Sequence, residues 1–149
     1  MIAPAQIFLA ANSIALLCWT ALAIALFIPR WRVSIQLITG YFVPACFAAL
    51  YLFCIRRGFA ETSGGGFSSI AEVRALFAND SALAAGWLHY LAFDLFVGAW
   101  IVRQGMQDRI NRFLLLLCLP ITFLFGPIGF LVFLIERAVF SRRIAGDSL

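Results

Sequence analysis

The chain has 149 residues, of which 64% are hydrophobic and 12% are charged, and its 11 basic residues are all arginines. A soluble domain usually has about 25% charged residues, so this composition excludes an ordinary soluble domain and is typical of an integral membrane protein. The arginines, which give a formal net charge of +4, stand mostly where apolar runs end. This distribution fits interfacial anchors and excludes a basic stripe for nucleic acid.

Two apolar segments in the first third of the chain are long enough to cross a bilayer, which takes about 20 helical residues. They cover residues 7–28 and 35–55. Pro29 ends the first, and the Arg and Trp residues after it suit the headgroup level. Pro44 is expected to kink the second segment or to mark its start.

A polar stretch over residues 58–81 follows the second segment. Within it, Ser69 and Glu72 have the spacing of a capping box, which predicts a short helix over residues 70–78. Its apolar side chains share one face, opposite Glu72 and Arg74. The helix either lies on the membrane surface or packs on the bundle as an ordinary loop helix.

The remaining two apolar segments cover residues 82–102 and 113–135. The sequence therefore predicts an all-α integral membrane protein. We expect a single domain over residues 1–149, a bundle of four transmembrane helices with a short amphipathic interfacial helix between helices 2 and 3.

The fourth segment contains the run Gly126-Pro127-Ile128-Gly129. Because Pro127 cannot donate to the carbonyl of Phe123, the helix is expected to bend there, with Thr122 near enough to satisfy the freed carbonyl. Gly126 and Gly129 share one helical face. They predict either a close helix contact or a groove that a flat ligand could enter.

The membrane orientation does not follow from counting arginines under the positive-inside rule. If all four segments cross, six arginines lie on the side of the N-terminus and five on the other. The six are Arg56, Arg57, Arg74, Arg137, Arg142 and Arg143, and the five are Arg30, Arg32, Arg103, Arg109 and Arg112.

Two ionisable side chains, His89 and Asp94, lie inside the third segment. A charge at the centre of a span costs about 2.5–3.5 kcal/mol on insertion scales, so such residues mark function by default. Asp94 is therefore expected to have a partner or to be held protonated. His89 and Asp94 are separated by about 140° around the helix, which argues against a direct contact between the two side chains.

Aromatic side chains flank both residues, with Trp87 and Tyr90 near Asp94 and Phe93 near His89. Together they predict an aromatic-lined wedge that fits an elongated apolar ligand. The alternative is that the polar groups only join helices and the aromatics only pack.

The first segment adds Asn12 and Trp19, which share a face of its helix. An amide at this depth needs a partner across the bundle, and we expect Asp94 or His89 to supply it. The four cysteines lie inside apolar runs at spacings that match no metal or redox pattern, so no metal site is expected.

The order of these features resembles the neoxanthin-synthase-like family, also called abscisic-acid-deficient-like and formerly a domain of unknown function. Trp87-x-His89 followed by Asp94-Leu95-Phe96 carries the resemblance, which covers residues 11–137. Further matches are Leu76-Phe77-Ala78, Asn12, Trp19 and Gly126-Pro127-x-Gly129.

The resemblance implies a four-helix membrane fold and chemistry on a carotenoid or another isoprenoid. In the plant proteins a xanthophyll epoxide is opened and rearranged to an allene, an isomerisation that demands no cofactor. On this basis Asp94 is the acid and His89 the base or its relay. We expect the substrate to contact Asn12, Trp19, Trp87, Tyr90, Phe93, Gly126 and Gly129.

These features favour an intramembrane isomerase that acts on an apolar isoprenoid. The alternative is a non-catalytic membrane protein that binds carotenoid or lipid, or scaffolds another enzyme. The chain starts directly at its first span with nothing like a transit peptide, so we expect a bacterial inner membrane. Expected partners are the bilayer, the isoprenoid and a second copy of the chain through Gly126 and Gly129, but no nucleic acid.

Overall fold

The computed structural model describes residues 3–146, which form helices and no strand. The prediction of an all-α protein is confirmed. Three helices of this part of the chain are long and apolar enough to cross a membrane. They are α1 (Pro4–Phe27), α2 (Pro29–Glu61) and α4 (Asp80–Gln107), and the segments predicted at 7–28, 35–55 and 82–102 fall on them.

The other three helices are shorter or more polar: α3 (Ile70–Phe77), α5 (Arg112–Phe125) and α6 (Pro127–Gly146). α3 begins where the capping box predicts a helix, since the Ser69 hydroxyl accepts from the Glu72 N–H at 3.2 Å. The Glu72 carboxylate accepts from the Ser68 N–H at 3.1 Å, whereas in a standard capping box it would accept from the N–H of the N-cap residue, Ser69. Leu76 of α3 is fully buried, whereas Ile70 is 80% exposed.

Helix α2 contains a π-helical turn at Ile38–Phe42, directly before Val43 and Pro44. Pro44 has no N–H to donate to the carbonyl four residues earlier, and a wider turn accommodates this loss. The Thr39 hydroxyl donates to the Ile35 carbonyl oxygen at 2.7 Å inside the same region. The disturbance predicted at Pro44 is therefore a local π turn.

Contacts between residues divide the chain into two compact units, which we call unit 1 and unit 2. Unit 1 comprises Met1–Leu16 and Val43–Phe93. Its core contains Phe47, Leu76, Leu88 and Leu91, all almost completely buried. Small residues bring its helices close, since a methyl group on Gly58 would lie 2.6 Å from Cβ of Ala82.

Unit 2 comprises Leu17–Phe42 and Asp94–Leu149. Its core contains Leu22, Leu26, Leu95, Leu115 and Phe133, each fully buried. Helices α5 and α6 lie entirely in this unit, and their packing against each other is the largest departure from the sequence prediction.

The fourth predicted span, residues 113–135, is not one bent helix but an antiparallel hairpin of α5 and α6. Three nested pairs establish this: Thr122 contacts Gly129, the Cys118 thiol donates to Oε2 of Glu136 at 3.4 Å, and Arg137 Nε donates to Oδ2 of Asp108 at 2.6 Å. Eighteen residues of continuous helix would separate Cys118 from Glu136 by about 27 Å.

The sequence Gly126-Pro127-Ile128-Gly129 makes this turn. Proline disfavours helical backbone in the residue before it, and Gly126 ends α5 at a φ of +20°. Pro127 is then the first residue of α6, a position where its missing N–H costs nothing. A methyl group on Gly129 would overlap the backbone of Thr122, so the glycine permits the two helices to close.

The hairpin also changes the expected role of Thr122. Its hydroxyl donates to the Cys118 carbonyl oxygen at 2.8 Å, one helical turn earlier, and not to the carbonyl of Phe123. At 14 residues, α5 is about 21 Å long, shorter than the roughly 30 Å hydrocarbon core of a bilayer.

Candidate active site

The carboxylate of Asp94 lies against the turn of the α5–α6 hairpin in unit 2. A methyl group on Gly126 would stand 2.6 Å from Oδ1 and 2.9 Å from Oδ2 of Asp94. The carboxylate therefore occupies the space that a side chain at position 126 would need. Asp94 is half-buried, and it lies near the middle of α4, the only charged residue between Asp80 and Arg103.

The indole of Trp19 packs on Gly98, one helical turn after Asp94. A methyl group on Gly98 would lie 2.6 Å from Cζ3 of Trp19. The Trp19 ring is 94% buried and stands 5.6 Å from the ring of Phe123, centroid to centroid. Residues four apart on a helix are neighbours at about 5–6 Å, so the indole and the carboxylate occupy adjacent positions along α4.

The Nε1–H of Trp19 is buried and donates to no acceptor among the described residues. Buried donors are almost always satisfied, and one that is not costs about 1–3 kcal/mol and calls for an explanation. Asp94, Gly126, Trp19, Gly98 and Phe123, which we call the acid centre, thus combine a carboxylate, an available N–H and an aromatic face.

A second cluster lies in unit 1 and surrounds Trp87. The Trp87 Nε1–H donates to Oδ1 of Asn12 at 3.0 Å, and the Asn12 amide donates to the Phe8 carbonyl oxygen at 3.0 Å. The expectation that Asn12 bonds to Asp94 or His89 is therefore wrong. The Trp87 ring also stands 5.3 Å from Phe8 and 5.2 Å from Tyr90.

His89 is exposed and lies between two aromatic rings of unit 1. Its imidazole is 4.6 Å from the ring of Phe93 and 5.9 Å from that of Tyr51. Tyr51 was not among the predicted site residues, because its approach to His89 depends on how α2 packs on α4. We call Trp87, Asn12, His89, Phe93 and Tyr51 the aromatic cluster.

The predicted site residues thus divide between the two units. Unit 2 contains Asp94, Trp19, Gly126 and Gly129, whereas unit 1 contains His89, Asn12, Trp87, Tyr90 and Phe93. Gly129 contacts Thr122 instead of opening a groove. Within the described residues no three His, Cys, Asp or Glu side chains come close enough to hold a metal ion.

Two members of the acid centre, Gly98 and Phe123, were not among the predicted site residues, although Gly98 lies on the Asp94 face of the predicted helix. Gly98 carries no chemistry of its own, and its role is to leave room for the Trp19 ring. A glycine one turn from a mid-span carboxylate is the only signal that the sequence offered for it.

Comparison with known proteins assigns the chain to a family. The ABA DEFICIENT 4-like family matches residues 6–133. The chain is also 27% identical to Protein ABA DEFICIENT 4, chloroplastic, of Arabidopsis thaliana over 94 residues, which are 62% of this chain and 37% of the plant protein. No solved structure matches the chain. The chain belongs to the ABA DEFICIENT 4-like family, as the sequence resemblance predicted.

Proposed function

We propose that the protein is an intramembrane isomerase that acts on an apolar isoprenoid of the carotenoid or xanthophyll type. The family relation to a plant protein of neoxanthin synthesis supports the substrate class. The observation that carries the proposal is the seating of the Asp94 carboxylate on Gly126, one helical turn from Gly98, on which the Trp19 ring packs. The Nε1–H of that ring is buried without an acceptor among the described residues.

The reaction that this arrangement fits is the opening of an epoxide. Protonated Asp94 gives its proton to the epoxide oxygen, the C–O bond breaks, and its electron pair stays on the oxygen as a hydroxyl. A base takes a proton from the neighbouring polyene carbon, and that C–H electron pair forms the new double bond. The product is an isomer of the substrate, so the step consumes no oxidant or reductant.

Each proposed group has a distinct task. The Trp19 N–H holds the substrate oxygen, and aromatic faces such as Phe123 stabilise the positive charge that develops on the polyene. His89 is the proposed base, on the strength of the sequence resemblance and its place on α4. Each of these roles is tested by its own variant.

The proposed membrane arrangement keeps one transmembrane domain with four apolar elements. Helices α1, α2 and α4 cross the bilayer, and the α5–α6 hairpin enters and leaves on one side. The amphipathic α3 lies at the interface with Leu76 anchored in unit 1. The proposed location is a bacterial inner membrane, and association through Gly129 is not part of the proposal because that glycine already contacts Thr122.

A non-catalytic carotenoid- or lipid-binding protein is the second candidate. It is favoured by a groove of about 370 Å³ in unit 1, lined by Phe8, Leu83, Ala84 and Trp87 among others. Trp87 and Phe8 are both partly exposed there and present aromatic surface to an apolar ligand. Such a protein would retain the pigment without changing it.

Conversion of an epoxy-xanthophyll by the purified full chain in lipid nanodiscs tests the proposal. The wild type should yield the isomer, and Asp94→Asn should lower the rate by at least about 100-fold, the usual contribution of a general acid. The matched control is Asp80→Asn, which removes an exposed carboxylate from the first turn of the same helix. Equal turnover by Asp94→Asn contradicts the proposal, and retention of unchanged pigment by all three proteins supports the binding protein instead.

A further inference from the structure

A groove of about 420 Å³ lies in unit 2 between the start of α2 and the end of α4. Three of its polar side chains, Arg32, Gln36 and Arg103, are hydrogen-bond donors, and no carboxylate lines it among the described residues. Its apolar lining includes Val33, Leu37 and Met106. A surface of this composition fits a ligand with an anionic group and an apolar body.

The two guanidinium groups are held in place by single hydrogen bonds. Arg103 donates to the hydroxyl of Tyr41 at 3.0 Å, and Nε of Arg32 donates to the Ala25 carbonyl oxygen at 3.3 Å. A guanidinium has five N–H donors, so each arginine keeps others for an anion. Tyr41 itself belongs to the π turn of α2, a local irregularity that is frequent at functional sites.

Gln36 adds the observation that points most directly to an absent ligand. Its Nε2 is buried and donates to no acceptor among the described residues. The side chain lines the groove beside Arg32. With two positive charges and an unsatisfied amide donor in one groove, the missing partner is an acceptor with negative charge, such as a phosphate oxygen.

The hairpin indicates which membrane surface this groove faces. Because α6 returns alongside α5, Arg137 lies at the same end of unit 2 as Asp108 in the loop after α4. The arginines of unit 2 up to Arg137 all stand at that end, and none stands at the Gly126 turn: they are Arg30, Arg32, Arg103, Arg109, Arg112 and Arg137. The positive-inside rule therefore assigns this end, which includes Arg32 and Arg103, to the cytoplasm.

We propose that this groove binds the phosphate headgroup of an anionic phospholipid from the cytoplasmic leaflet. Basic pockets between membrane helices on the cytoplasmic side bind the headgroups of acidic lipids. These lipids give the cytoplasmic leaflet its negative surface potential. The arginines contact the phosphate, Gln36 donates to one of its oxygens, and an acyl chain lies along Leu37 and Met106. The site needs only that the chain is embedded in a membrane, so it does not depend on the proposed isomerase activity.

The purified full chain, titrated with phosphatidylglycerol and with phosphatidylcholine of the same acyl chains, tests this site by native mass spectrometry. The wild type should bind phosphatidylglycerol more tightly. Arg32→Gln with Arg103→Gln should lower that preference by about tenfold or more, since charge-assisted hydrogen bonds are the strong class. The matched control is Arg56→Gln with Arg74→Gln, which removes the same charge from two exposed arginines elsewhere and should leave the preference unchanged.

A single substitution keeps the test decisive if the double variant does not fold. Gln36→Leu keeps both charges and removes the unsatisfied donor, so it should fold and weaken phosphatidylglycerol binding a few-fold. An unchanged preference in a folded Gln36→Leu or double variant overturns the proposal. Displacement of the lipid by millimolar inorganic phosphate also overturns it, because the site would then hold a free anion without needing a chain.

Discussion

The acid centre and the aromatic cluster both include residues of helix α4, but their indole N–H groups differ in burial and in hydrogen bonding. In the aromatic cluster the indole N–H of Trp87 has a partner in Asn12, and its ring is partly exposed. In the acid centre the indole N–H of Trp19 is buried without an acceptor, and glycines make room for the side chains around it. A hydrogen-bonded N–H on a partly exposed ring is typical of a contact that joins helices or of a surface binding site. A buried N–H without an acceptor is typical of a site that binds a polar atom of a ligand.

The variant with the largest expected effect on the acid centre is one that fills the space at Gly126. Gly126→Val would force the Asp94 carboxylate away, since even a methyl group would stand 2.6 Å from Oδ1. We expect turnover of an epoxy-xanthophyll to fall by about 100-fold or more, and the free energy of unfolding by about 1–3 kcal/mol. Gly64→Ala is the control, because Gly64 also has positive φ but has open space around it. Normal turnover by a folded Gly126→Val would remove Gly126 from the acid centre.

Replacing the proposed base gives the next largest effect. His89→Gln keeps a polar side chain of similar length but cannot accept and pass on a proton in the same way. Rates should fall by about 100-fold, with the loss in kcat and little change in KM. The control is Tyr51→Leu, which removes one ring beside His89 and should lower turnover far less. If His89→Gln keeps the wild-type rate, the base must be sought elsewhere.

Trp19→Phe isolates the unsatisfied N–H, since it keeps an aromatic ring and removes the donor. We expect turnover to fall by about tenfold, consistent with the loss of one hydrogen bond to a substrate oxygen. Stability without substrate, followed by unfolding in mixed micelles, should not fall by the cost of a lost bond, because the donor has no acceptor in the chain. A loss of stability with unchanged turnover would show that the N–H is structural.

The same substitution in the aromatic cluster should have the reverse result. Trp87→Phe breaks the bond to Asn12, so it should lower the free energy of unfolding by about 1 kcal/mol and leave turnover within about twofold. The pair of variants is compared in the same unfolding and turnover assays. Loss of activity in Trp87→Phe would instead show that the Trp87 N–H, and not only His89, takes part in the chemistry.

The sequence was sufficient for what composition and local pattern decide. The spans at 7–28, 35–55 and 82–102 and the short helix at 70–78 follow from apolar runs and a capping box, and each has its helix in the structure. The family was also identified from the Trp87-x-His89 and Asp94-Leu95-Phe96 core.

What depends on packing over long separations could not be predicted. Gly126-Pro127 is compatible with a kink and with a turn, and only the contacts of Thr122 with Gly129 and of Cys118 with Glu136 decide between them. The partner of Asn12 was wrong for the same reason, because several helices offer polar side chains at that depth. The unsatisfied donors of Trp19 and Gln36 could not be predicted from the sequence, since only a folded structure shows whether a buried donor has an acceptor.

The return of α6 along α5 is the feature on which both the seating of Asp94 and the arginine distribution depend. Nitroxide labels at Leu117 and Ile135, two exposed positions beside the Cys118–Glu136 pair, measure it directly in a variant with the four cysteines replaced. Helices in contact have axes about 8–10 Å apart, so a hairpin predicts a short label distance of roughly 15–20 Å. A continuous span would separate the two backbones by about 27 Å along its axis, and a distance of that length or more would contradict the hairpin.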